Sequence, residues 1–178
     1  ICPLEDGGCM VSIRNGGFAW DEDRICLMLL DANGDFQWQQ CYNGLDTNIW
    51  FMDHENLIRT PDQGCLITGQ CQYSDTTPIV YNRGLAYLIK TDSGGEVQWE
   101  FILDRDLSEN HGEAHMTQVS PDGNSYYTSL TRWLEEPGES GRVPALLKTS
   151  LAGNKLAVYN LNPPGESSAG MYDFVFLN

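Results

Sequence analysis

The sequence predicts an all-β fold built from three tandem copies of a four-stranded antiparallel unit. Three observations predict it. An Asp-containing turn that opens a strand recurs three times. A Gly-centred hairpin recurs about every 60 residues. No segment has apolar periodicity of helical type over a normal helix length, whereas runs of alternating apolar and polar residues bounded by turn signals are frequent.

The first strand of each copy follows the Asp turn: Cys9-Met10-Val11-Ser12-Ile13 after Asp6, Cys65-Leu66-Ile67-Thr68-Gly69 after Asp62, and Ser125-Tyr126-Tyr127-Thr128-Ser129 after Asp122. The second is an apolar run, Ile25 to Leu30, then Leu85 to Lys90, then Ala145 to Lys148. The third follows the hairpin glycines Gly34, Gly95 and Gly153, which stand 61 and then 58 residues apart. Glycine supplies the positive φ such a hairpin requires. After it, Phe36 and Trp38, and then Val97, Trp99 and Phe101, alternate with polar residues. That is period two, a strand with one buried face. The third copy has Ala157 where tryptophan is due. A fourth strand leads back to each Asp turn: Asn56 to Arg59, Met116 to Val119, and Phe174 to Leu177. The reading is one repeat domain over residues 1–178, with copies at about 1–58, 59–118 and 119–178.

The pattern Leu-x-Lys-Thr-Asp-x-x-Gly-x-x-x-Trp, read from Leu88 to Trp99 and echoed from Leu146 onward, resembles the blade repeat of large secreted bacterial β-propeller proteins. It is also similar to the repeat of quinoprotein-like propellers, one residue shorter here. The resemblance implies consecutive propeller blades and says almost nothing about activity, because propellers host many functions. Propellers normally close with four to eight blades. Three sheets would leave two flanks open, so the resemblance implies further blades from the same or another chain. The alternative fold for three four-stranded repeats is a β-trefoil.

Charge narrows the partners. Ten basic residues stand against 25 acidic ones, a net charge of −15. Phosphate binding needs clustered Lys and Arg, so nucleic acid and anionic membrane surfaces are disfavoured. No run approaches the ~18 apolar residues of a membrane helix. All six cysteines (Cys2, Cys9, Cys26, Cys41, Cys65 and Cys71) fall in the first 71 residues, with no Cys-x-x-Cys pair. Zinc-ribbon and redox motifs are therefore absent. One or two disulfides in the N-terminal third would fit a secreted or cell-surface protein. Free buried thiols acting as small apolar groups fit the residues equally well.

Function concentrates on long loops held by a rigid scaffold. The loops between the first and second strands carry Trp20, Tyr73, Tyr81 and Trp133, which suit sugar stacking or protein contact. Alternatively they fold back over the sheet edges. The segment before each Asp turn carries all three histidines, His54, His111 and His115, with Asp53, Glu55 and Glu113. Asp53 and Glu113 occupy one repeat column, so successive sheets would bring them to one rim. Such a rim could orient a polar ligand or hold a divalent metal; solvated residues are the plainer alternative. Asp31 to Asp35 lacks the distal bidentate Glu of a calcium loop and reads as a hairpin turn. No nucleophile elbow or phosphate-cradling loop is present. No resident cofactor is implied. The expectation is a non-catalytic platform for a protein or glycan partner. A carbohydrate-active or sugar-binding role and a metal-binding extracellular role are the alternatives.

Overall fold

The computed structural model describes residues 1–15, 24–42, 49–73, 84–103, 111–136, 139–161 and 170–177. Twelve strands are present among them, and no helix: β1 (Cys2–Pro3), β2 (Cys9–Asn15), β3 (Arg24–Leu30), β4 (Phe36–Tyr42), β5 (Ile49–Arg59), β6 (Cys65–Tyr73), β7 (Gly84–Thr91), β8 (Val97–Ile102), β9 (His111–Val119), β10 (Ser125–Glu136), β11 (Glu139–Ser150) and β12 (Lys155–Asn160). They form three antiparallel meanders, β1-β2-β3-β4, β5-β6-β7-β8 and β9-β10-β11-β12. The all-β expectation and the three four-stranded sheets are thus observed. The strands sort into separate sheets and do not join in one barrel, as the trefoil alternative requires.

The grouping is offset by one strand from the sequence repeat. Asn56–Arg59, read as closing the first copy, pairs instead with β6 across the Asp62 turn, Arg59 opposite Cys65 and Ile58 opposite Leu66. The reason is local. Thr60 N–H bonds Gly64 C=O, and the Thr60 hydroxyl bonds the Asp62 carboxylate at 2.6 Å, so this turn is itself a tight hairpin. The third expected strand of this kind, Phe174–Leu177, has no strand ladder. It runs extended over the third sheet, where Gln118 Nε2 donates to Phe174 C=O and Phe176 meets Tyr127 edge-on. Phe174 and Phe176 are half-buried, while Val175 and Leu177 are exposed.

Each sheet has a forward face, turned to the next sheet, and a rear face, turned to the one before. One apolar core joins the forward face of the first sheet (Met10, Ile25, Leu27 and Tyr42) to the rear of the second (Cys65, Ile67, Tyr87 and Ile89). Another joins the forward face of the second (Leu66, Leu88 and Leu103) to the rear of the third (Tyr126, Leu130 and Leu147). Burial of this kind, at roughly 25 cal/mol per Å², is what holds one sheet on the next. In the second sheet, alternation along β6 and β7 divides the residues between the two cores, Cys65, Ile67, Tyr87 and Ile89 to one and Leu66, Ala86 and Leu88 to the other.

The repeat glycines and tryptophans mark both junctions. A Cβ on Gly95 would lie 2.8 Å from Trp38, and one on Gly153 would lie 2.6 Å from Trp99. Each indole therefore rests on the bare backbone of the following sheet's hairpin. Trp99 Nε1 also donates to Leu151 C=O at 2.9 Å, and the Tyr42 hydroxyl donates to Gly95 C=O at 2.8 Å. Trp38 and Trp99 thus occupy equivalent environments, as their repeat spacing predicts.

Candidate functional site

The carboxylates expected on one rim are close enough to influence one another. Asp53 and Glu55 lie on β5 and Glu113 lies on β9, and these strands are in contact. The β5–β6 register shifts between His54 and Asn56, which leaves Glu55 as the extra residue of a bulge. β9 shifts at the matching height, opposite Thr128 to Leu130. Gly69 permits the β5 bulge: a Cβ there would lie 1.9 Å from Asp53 C=O. Burial, reinforced by the charges of Asp53 and Glu113, pushes the Glu55 carboxyl above its ordinary range. Asp53 is clasped from the first sheet by Arg14, at 3.4 Å. Glu113 lies beside β7, its Cγ 3.7 Å from where a Cβ on Gly84 would stand.

Two of the three histidines have described side chains. His54 is half-buried on β5, with Nδ1 buried and without a hydrogen-bond partner. Burial lowers its pKa against the pull of Asp53. His115 is buried on β9, within hydrogen-bonding distance of the Thr131 hydroxyl (3.0 Å), its ring centroid 4.6 Å from that of Tyr172 and tilted 49° to it. Burial lowers its pKa too. His111 opens β9, opposite Trp133, and its side chain lies outside the described residues. Among the described residues, no three His, Cys, Asp or Glu side chains are placed to hold a metal ion.

The aromatic expectations divide. Trp20, Tyr81 and the Tyr73 side chain lie outside the described residues. Trp133 is described and is not in a loop. β10 and β11 continue as a ribbon of 12 residues each, and Trp133 sits within it opposite Arg142. The Arg142 guanidinium lies over the indole, 4.7 Å from its centroid. The long first-to-second loop expected in the third copy is therefore a paired ribbon. Likewise, Asp53, His54, Glu113 and His115 lie within strands and not in irregular loops. Of the repeat landmarks, Gly34 differs from Gly95 and Gly153: a Cβ there would meet nothing within 4 Å.

Sequence reasoning missed a buried lysine. Lys90 is 1% exposed. Its Nζ donates to Asp62 at 2.8 Å, to Gln98 Oε1 at 2.8 Å and to Thr91 C=O at 2.7 Å. Partial burial works to raise the Asp62 carboxyl, but hydrogen bonds from Lys90 and Thr60 outweigh it and bring the pKa down to about 2. The lysine of the Leu-x-Lys-Thr pattern was the available signal. Comparison with known families finds no family profile that matches the chain, and no curated protein is significantly similar to it.

Proposed function

We propose that the chain is a run of three propeller blades that serves, without catalysis, as a secreted or cell-surface platform for binding a protein or glycan partner. The carrying observation is the contrast between inner and outer sheet faces. On the rear of the second sheet, Cys65, Ile67, Tyr87 and Ile89 are at most 1% exposed. On the rear of the first sheet, Cys9, Val11, Ile13, Met28 and Leu30 are all half-buried. The forward face of the third sheet leaves Tyr159 47% and Leu161 44% exposed. Isolated apolar residues on a surface are ordinary, but rows of them on a sheet face suit an interface. The occupant that fits the first sheet is another four-stranded sheet bearing tryptophan at the repeat position of Trp38 and Trp99, its indole seated on Gly34. The Cys26–Cys41 disulfide supports an oxidising compartment.

The test supplies the missing indole. Ala157→Trp gives the third sheet a tryptophan to place on Gly34 of a second copy. Two copies carry six sheets, within the closing range of propellers. Light scattering should show the variant dimerising at lower concentration than the parent, and a second change, Gly34→Val, should reverse this. An unchanged mass for Ala157→Trp overturns the blade arrangement. A sugar-binding or carbohydrate-active role is the second reading, favoured by the approach of Asp53, Glu55 and Glu113. A glycan array combined with a glycoside hydrolysis screen separates the two: turnover overturns the non-catalytic reading.

A further inference from the structure

We propose that Cys2 and Cys65 are a dithiol that oxidises to a second disulfide, stapling the N-terminal strand of the first sheet to the second sheet. Cys2 on β1 stands directly opposite Met10 on β2, so both side chains leave the forward face of the first sheet. Cys65 on β6 faces them from the rear of the second sheet, with its Sγ 2.9 Å from Met10 Sδ. All three belong to one core, with Cys2 5% and Cys65 0% exposed. Cys2 and Cys65 thus flank the Met10 thioether from the two sheets, and burial raises the pKa of both thiols. Neither is bonded to another cysteine. Cys9 points to the opposite face of the first sheet, and Cys71 lies six residues further along β6.

The reaction balances with a disulfide as oxidant, either a small-molecule disulfide or a disulfide-exchanging protein. The Cys2 thiolate attacks one sulfur of the oxidant and releases its first thiol. Cys65 then attacks Cys2 Sγ, forming the protein disulfide and releasing the second thiol. Two protein thiols are oxidised, and one disulfide is reduced to two thiols. The order follows from access. Cys2 is the less enclosed, whereas burial and the neighbouring Cys2 push the Cys65 thiol up to about 12. The Arg59 guanidinium favours the thiolate at both positions. The closed loop is long, so the staple removes much of the unfolded chain's freedom and should raise Tm by roughly 5–15 °C.

The test uses the intact chain with oxidised glutathione as oxidant. After oxidation, the protein is denatured with N-ethylmaleimide and no reductant, and its mass is measured. Two alkylated thiols are expected, down from four, together with a cross-linked peptide containing Cys2 and Cys65. Cys2→Ser should lose that peptide and the Tm gain while keeping the Cys26–Cys41 link. Four alkylatable thiols after oxidation overturn the proposal, and so does a cross-link of Cys2 to Cys9 or Cys71. Peptide mapping of the parent protein decides the matter even if the variant fails to fold.

Discussion

Lys90 and Lys148 occupy the same place in successive sheets, each followed by threonine, and their surroundings are opposite. Lys90 is enclosed and bound to Asp62, Gln98 and Thr91 C=O. Lys148 is partly exposed, its ammonium 5.1 Å from the Tyr127 ring centroid. The strands and hairpins around them are alike. What differs is the cover: the third sheet closes over the second, and the described residues place no sheet over the third. The same sequence element is thus an enclosed lysine under the third sheet and a partly exposed one on the third sheet, where Leu156 also stands in the place of Gln98.

The largest break in this comparison should come from the lysines themselves. Lys90→Ala removes the donor to Asp62 Oδ2 and to Gln98 Oε1 and leaves a void where the buried lysine stem packed; with Asp62 half exposed and still bonded by Thr60, it should cost about 2–3 kcal/mol by urea denaturation. Lys148→Ala should leave the urea midpoint nearly unchanged. Equal losses would end the distinction between inner and outer faces.

The same pair sets an acid dependence. The Asp62 carboxyl lies below its usual value in the folded chain, at about 2 against 3.8. Its stabilising effect is therefore complete above pH 3.8 and fades as pH falls from there through about 2. A pH series of urea midpoints should show this loss in the parent and a smaller one in Lys90→Ala. Parallel curves would mean that Asp62 does not couple to Lys90.

Smaller effects should separate the glycines. Gly153 and Gly34 share positive φ, 81° and 84°. Alanine at either position bears the backbone strain, roughly 1 kcal/mol. Only at Gly153 does the added Cβ also displace Trp99. Gly153→Ala should therefore cost about 1–2 kcal/mol more than Gly34→Ala, and quenching of Trp99 fluorescence should change only in the former. Equal costs would show that the indole seat contributes nothing.

The candidate site was legible as a column and not as a geometry. Repeat spacing placed Asp53 and Glu113 in one column, and the strands that carry them, β5 and β9, are in contact. It could not show that these residues sit in bulged strands, because a bulge arises from pairing with a partner strand, here permitted by Gly69. Nor could it show that His115 is buried against Thr131 and Tyr172, which are distant in sequence. Trp133 was misplaced because polar, charged residues around the β10–β11 ribbon resemble a loop until both strands are seen to pair.

The sequence alone determined most of the strands, the hairpins and the repeat, because alternation, positive-φ glycines and Asp turns act over a few residues. Tertiary structure decided which lysine is enclosed and which thiols come near one another. Those outcomes depend on one sheet covering another, and residues that touch across that junction carry no local mark of it.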